Sequence, residues 1–277
     1  PRDRTRASEA TAAVVTLNRT IRFSLTRTIS PEVAIASPRG NTHAGWPSMD
    51  LVAGSSWEAT VEVRGTPDPR TGYLVGIDKL DAAVRERALP VLLETHQRRD
   101  LSAIEVARTI LDQASGGDGP TFDAIEVGME RDTRWRVDSG DMSMVLVQRR
   151  YEFSASHRLH LAELDDEANA AMFGKCSNPH GHGHNYEVEV QVRTDGDAPV
   201  SILALDQVVD AVVIDRFDHK HLNLDLDDFK SRVPSVENIA ARCVDLLRDP
   251  VAALAPGCGL HGVKVWETPR TACTVLA

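Results

Sequence analysis

His180-Gly-His182-Gly-His184-Asn-Tyr186-Glu-Val-Glu-Val-Gln-Val-Arg193 is the stretch that decides the fold. From His184 onward Tyr186, Val188, Val190 and Val192 alternate with Asn185, Glu187, Glu189 and Gln191. A period of two places the first set on one face of a β-strand and the second on the other. His182 and His184, two positions apart, therefore leave the strand on a common face. Upstream, residues 144–157 read as a second extended segment with Tyr151, Phe153, Ala155 and His157 on one side. A lone histidine on an apolar face is usually structural. Three neutral imidazoles converging on one point leave a fourth coordination position open, which is the arrangement of a catalytic zinc rather than a structural one. The set predicted to hold Zn2+ is His157, His182 and His184, with the thiol of Cys176 beside the open position.

Beyond these strands, residues 203–217 have helical spacing. Pro234-Ser235 opens a further helix running to about residue 247, with Ser235 as its N-cap. Residues 261–267 and 271–276 read as a closing hairpin around Pro269. This order of strand, strand, helix, helix, strand, strand recurs earlier in the chain. Ile21-Arg-Phe23-Ser-Leu25 matches Tyr151-Glu-Phe153-Ser-Ala155, and the eight residues from Trp57 match those from Tyr186. Gly76-Ile-Asp-Lys-Leu80, Ser102-Ala-Ile-Glu-Val-Ala107 and Phe122-Asp-Ala-Ile-Glu-Val127 match the stretches beginning at Ala204, Ser235 and Leu260. Five ordered matches, at an offset moving from about 129 to 138, predict an internal duplication. The predicted organisation is a flexible tail over 1–17, a first unit over 18–140 and a second over 141–277.

The chemistry is not duplicated. His157 falls on Arg27, His182 on Ala53, His184 on Ser55, Asp218-His219 on Pro90-Val91, and Glu267 on Met129. The first copy thus reads as scaffold or assembly partner.

Composition narrows the function. The 277 residues carry a net charge of −10, which gives nucleic-acid binding no support. Residues 141–277 hold 13 basic and 21 acidic side chains, so an anionic substrate would need local cations. No apolar run is long enough to span a bilayer. The first residues are Arg- and Ser/Thr-rich with Asp3 and Glu9, lack the apolar core of a secretory signal, and by default predict a cytoplasmic address. Cys176, Cys243, Cys258 and Cys273, and eight of the ten histidines, all lie after residue 150. Cys243 and Cys273 read as core, and Cys258 as structural. In so large a chain, free thiols and metal chemistry fit better than disulfide staples.

Six blocks of the second half resemble the 6-pyruvoyltetrahydropterin synthase / 6-carboxytetrahydropterin synthase family of the tunnelling fold. They are Phe153-Ser-Ala-Ser-His157-Arg-Leu159, Gly174-Lys-Cys176-Ser-Asn-Pro179, Gly181-His-Gly-His-Asn-Tyr186, Asp218-His-Lys220, Pro234-Ser-Val-Glu-Asn238 and Val265-Trp-Glu-Thr268. The resemblance implies an α+β fold: tandem units, each a four-stranded antiparallel sheet with two helices on one face. Such units join edge to edge into a β-barrel homo-oligomer, which removes open sheet edges.

It also implies roles. Cys176 resembles the catalytic cysteine, and Asp218-His219 the acid–base pair. Glu267 resembles the pterin anchor, since one carboxylate accepts from an N–H and an amino group on one ring edge. Glu237 would assist, or simply favour a helix N-terminus. Arg158, Lys175 and Lys220 are positioned to meet a triphosphate, His221 reads as a bystander, and Gly181 and Gly183 suit close approach of backbone or substrate. The implied substrate is 7,8-dihydroneopterin triphosphate, converted by a zinc lyase to 6-pyruvoyltetrahydropterin and triphosphate. The sister activity also releases acetaldehyde and gives 6-carboxytetrahydropterin, on a deazapurine route. The two types differ in the gap between the cysteine and the first strand histidine. It is five residues from Cys176 to His182, as in the pyruvoyl type, and three to His180, as in the carboxy type. Asn185-Tyr186 follows His184 as in the family, which favours His182 and His184 and makes His180 a rim residue. A non-catalytic zinc-binding assembly protein is the remaining alternative.

Overall fold

The computed structural model describes residues 13–26, 54–98, 102–114, 119–128 and 132–277. The chain divides into two compact units, Pro1–Glu130 with Val137–Gly140, and Arg131–Arg136 with Asp141–Ala277. Arg131–Arg136 thus group with the second unit, and Val137–Gly140 with the first.

The first unit contains β1 (Val15–Leu25), β2 (Ser55–Gly65), α1 (Ile77–Arg98), α2 (Ala103–Ala114) and β3 (Ala124–Gly128), and β4 (Thr133–Asp138) follows. β1 starts inside the stretch assigned to the tail, because Val15, Thr16 and Leu17 already pair with Gly65, Arg64 and Val63. Three positions expected to replace the site residues, Arg27, Ala53 and Met129, lie outside the described residues. Pro90 and Val91 lie within the continuous helix α1.

In the second unit come β5 (Asp141–His157), α3 (Asp166–Phe173), a 3-10 turn (Gly174–Ser177) and β6 (His182–Asp195). Then follow α4 (Ile202–Val209), β7 (Lys220–His221), α5 (Val236–Ala252), β8 (Gly259–Thr268) and β9 (Thr271–Leu276). The sheet order is β5-β6-β8-β9, all antiparallel, with β7 parallel on β5. This is a mixed α+β unit built on an antiparallel sheet.

The core follows the alternation read in the sequence. Tyr186, Val188, Val190, Val192, Val263 and Val265 are fully buried, and Phe153 stacks on Tyr186 at 4.9 Å. Helix α5 buries Val236, Ile239, Ala240, Cys243, Val244, Leu247 and Val251, a stripe at three- and four-residue spacing. Ser235 caps it by accepting from the N–H of Asn238. Leu205, Val209, Val213 and Phe217 are buried at strict four-residue spacing. On a straight α-helix such a stripe would drift by about 40° per repeat. A π-helical turn at Asp210–Ile214, before the last turn Asp215–Phe217, takes up that drift.

Pairs matched in the sequence keep the same register in each unit. Phe23 faces Trp57 as Phe153 faces Tyr186, and Val61 faces Ile125 as Val190 faces Val263. The difference lies in the connections. In the first unit α1 runs unbroken to Arg98. In the second the helical stretch ends at Phe217 and the chain doubles back as β7. Helix α3 and the 3-10 turn, which periodicity did not reveal, join β5 to β6. Asn169 fixes that connection from a buried position, bonding to Leu161 N–H and to the carbonyls of Leu161, Leu164 and Asp165.

Candidate functional site

The β5–β6 ladder brings the histidines together, because its register sets His157 opposite His182 and Ala155 opposite His184. The three rings converge, with centroids 4.6, 5.2 and 4.8 Å apart, and one nitrogen of each lies within 4.8 Å of the others. His157 is fully buried, and its Nδ1 lies 2.7 Å from the carbonyl oxygen of Pro234. A carbonyl only accepts, so Nδ1 carries the proton and Nε2 keeps its lone pair facing the other rings. Burial pushes the His157 pKa down to about 4, against the pull of the Pro234 carbonyl, and neighbouring His182, His184 and His221 lower it further. Burial likewise lowers that of His184, with Glu267 opposing. Both shifts favour the neutral form of His157 and His184, the form that binds a metal.

The donor set fits zinc. Nε2 of His157 and of His182 are 3.2 Å apart. Two nitrogens on one tetrahedral zinc would sit roughly 3.3 Å apart. His184 Nε2 is buried without a hydrogen-bond partner, an orphan that a metal would satisfy. Glu267, near the end of β8, puts Oε1 3.4 Å from His157 Nε2 and 3.7 Å from His184 Nε2. His180 is exposed and outside the trio, its N–H on the side chain of Asn178.

Gly181 is required where it stands. Its φ is +71°, and a Cβ there would meet the carbonyl oxygen of His157 at 2.9 Å and Nε2 of His221 at 3.0 Å. Gly183 is less constrained: a Cβ would make an ordinary 3.5 Å contact.

Cys176 is half-buried in the 3-10 turn. That turn is docked on the end of β5: the Cys176 carbonyl accepts from Leu159 N–H at 2.9 Å, and the Ser177 carbonyl from Arg158 Nε at 2.8 Å. Cys176 and Glu267 both influence the buried hydroxyl of Tyr186, whose pKa burial already raises. The other cysteines differ in kind. Burial pushes the Cys243 thiol up to about 12 and also raises Cys258 and Cys273. Cys273, expected in the core, is only half-buried on β9.

Asp218 and His219 are in contact, Oδ2 to Nδ1 at 2.7 Å. Adjacent side chains normally diverge; here His219 takes a left-handed φ of +56° that turns its ring back. Asp218 Oδ1 accepts from Ser154 N–H at 2.8 Å, and the Ser154 carbonyl accepts from His219 N–H at 2.6 Å. The Ser154 N–H, then His219, hold the Asp218 carboxyl below the ordinary carboxylate range. His219, Lys220 and His221 line an open groove of about 690 Å³ with Ser154, His184 and Asn185. His221, read as a bystander, has a buried and unpartnered Nδ1.

The remaining assignments fare unevenly. Arg158 is committed to the Ser177 carbonyl, with Asp166 at 3.5 Å, so it clamps the loop rather than facing the groove. Lys175 is exposed on the 3-10 turn. The Glu237 carboxyl is lowered by hydrogen bonds from Ser235 and its own N–H, the behaviour of a helix-start carboxylate. Sequence reasoning missed Asn223, whose side chain brackets Arg158 by bonding its N–H at 2.8 Å and its carbonyl at 2.9 Å. It also missed the Pro234 carbonyl, since backbone acceptors leave no sequence signal. Among the described residues no helix is long and apolar enough to cross a membrane.

Residues 146–277 match the family model described as 6-pyruvoyl tetrahydropterin synthase. The chain is 40% identical over 126 residues to 6-pyruvoyl tetrahydrobiopterin synthase of Homo sapiens, covering 44% of this chain and 84% of that protein. To the Drosophila melanogaster protein of that name it is 39% identical over 131 residues, covering 46% and 76%. The solved structure of Caenorhabditis elegans 6-pyruvoyl tetrahydropterin synthase aligns with TM-score 0.44 and 33% identity, over 48% of this chain and 96% of that one.

Proposed function

This chain belongs to the 6-pyruvoyl tetrahydropterin synthase family, and from that membership we propose that its second unit is a zinc-dependent lyase acting on 7,8-dihydroneopterin triphosphate. The products are 6-pyruvoyltetrahydropterin and triphosphate. The observation that carries this reading is the converging trio of imidazoles, with His157 locked through Nδ1 and His184 Nε2 left unsatisfied.

His157, His182 and His184 would hold the zinc. When bound, it supplies Lewis acidity toward the hydroxyls of the substrate side chain. Cys176 takes a carbon-bound proton next to the pterin ring, a task for a thiolate near positive charge. His219, oriented by Asp218, passes protons as the side chain tautomerises, and its exposed position in the groove gives a ligand access. Glu267 anchors the pterin edge, and its closeness to His157 and His184 supports binding the ring beside the histidines. The bonds of Glu237 favour its helix-start role over substrate binding.

Two product types share this starting material. With His180 exposed and His182 in the trio, the gap from Cys176 is five residues, which supports the pyruvoyl product. We also infer that the first unit is a degenerate tandem copy. The matching registers support this, as does the absence of a β7-like return after α1 among the described residues. A homo-oligomer would cover β9, which ends the sheet of the second unit.

Incubation with 7,8-dihydroneopterin triphosphate and mass identification of the product tests the reading. The pyruvoyl product supports it. The carboxy product with acetaldehyde would reassign the activity, and bound zinc without turnover would leave an assembly protein.

A further inference from the structure

Next to the histidines lies a second cleft, of about 250 Å³, whose lining includes His160, Asn223, Lys230, Ser231, Arg232 and Val233. It shares a joint with the metal trio. Val233 precedes Pro234, whose carbonyl holds His157, and Asn223 brackets Arg158. His160 is three residues from His157, so their Cα atoms are at most about 11 Å apart.

The charge of this cleft runs against its surroundings. Residues 141–277 carry 13 basic against 21 acidic side chains, yet two of those cations and a histidine meet here. The lining carboxylate is Glu163. Lys230 pairs with Asp227, but both are well exposed, at 68% and 85%, so water screens that pair. Arg232 is exposed and forms no ion pair with the described residues. Nδ1 of His160 is buried without a partner, a group that a ligand would satisfy.

We propose that this cleft is an oxyanion subsite that takes a phosphoryl group. Arg232 offers a planar fork of donors and Lys230 a mobile point charge, while His160 Nδ1–H and the Ser231 hydroxyl donate from the wall. The subsite does the work first expected of Arg158, whose guanidinium is committed to Ser177. The identity of the anion as the substrate's triphosphate tail, or the triphosphate it releases, rests on the lyase reading; the subsite itself does not.

The test is calorimetric titration of inorganic tripolyphosphate into the full chain and its variants. The double variant Lys230→Ala/Arg232→Ala should weaken binding roughly tenfold or more, given what charge-assisted hydrogen bonds contribute. Arg232→Lys alone should retain part of the affinity, and His182→Ala should retain it fully. Unphosphorylated 7,8-dihydroneopterin should bind the double variant and the parent chain alike. Unchanged tripolyphosphate affinity in the double variant overturns the proposal, as does loss of binding in His182→Ala alone, which would put the anion on the metal. None of these readouts needs turnover, so an inactive chain could refute the lyase reading while the subsite stands. In an active chain, a raised KM with little change in kcat marks the substrate's tail, and relief of inhibition by tripolyphosphate marks the released product.

Discussion

The Nδ1–H of His157 is bonded to the carbonyl oxygen of Pro234 at 2.7 Å. That single bond joins the end of β5 to the residue before the cap of α5, and it decides which nitrogen faces His182 and His184. A bond from the far nitrogen of a metal-binding ring to a carbonyl fixes tautomer and ring orientation, and its loss typically changes metal affinity by about 10–100-fold.

Metal content should follow the trio and not the motif. His157→Ala, His182→Ala and His184→Ala should each lose bound zinc on dialysis, by elemental analysis of the purified protein. His180→Ala should keep it, because His180 is exposed and outside the cluster. Loss of zinc in His180→Ala alone would shift the site by two residues.

Cys176→Ala should retain zinc and lose turnover by about 10²–10⁴-fold, the usual contribution of a positioned proton-transfer group. Cys243→Ser should leave kcat unchanged, since its thiol is fully buried and pushed up to about 12. Normal kinetics in Cys176→Ala would remove it from the mechanism.

Asp218→Asn should lower kcat roughly 10- to 100-fold while KM stays close to the parent value, because Asp218 orients His219 without occupying the groove. The Asp218 carboxyl is lowered, so its ionised form persists below the ordinary aspartate range and fails only as pH falls further. A kcat profile of the parent enzyme that lost activity through Asp218 protonation near neutral pH would contradict this.

Gly181→Ala should destabilise the turn into β6 by about 1–3 kcal/mol, from a left-handed φ and a 2.9 Å approach to the His157 carbonyl. Gly183→Ala, with 3.5 Å of room, should cost less in a urea unfolding comparison. Equal losses would mean that the Gly181 backbone is not held.

Asp228 lies between Arg216 and Arg242 with its side chain 1% exposed. Burial alone would raise its carboxyl, but the two arginines outweigh it and hold it below the ordinary range. A lowered folded-state value stabilises above the unfolded pKa and loses that contribution as pH falls through the folded one. Asp228→Ala should cost on the order of 2–4 kcal/mol at pH 7, at the low end for a broken buried pair because the arginines are 41% and 27% exposed. Urea denaturation should show the gap to the parent narrowing toward pH 3. A constant gap would assign the loss to packing instead.

Local periodicity made much of the second unit legible. Alternation along 184–193 marks β6 because burial of one sheet face forces a period of two, and Ser235 marks α5 because orphan N–H groups need an acceptor. The stretch from Asp165 to Ser177 was not legible. Its helix α3 is two turns long with no apolar face of its own, held by an Asp165 cap and the buried Asn169. β7 is two residues long and is defined only by its pairing with Ala155 and Ser156 at the end of β5.

By itself the sequence determined which residues could meet on one face: His182 with His184, and His157 with Phe153, because strand pleating is a local property. Tertiary structure alone decided that these faces meet. The fourteen-pair register of β5 on β6 set His157 against His182. A left-handed His219 closed onto Asp218. A backbone carbonyl 77 residues away fixed the tautomer of His157. Contacts of that kind depend on ladder register and main-chain direction, which emerge only when distant segments pack.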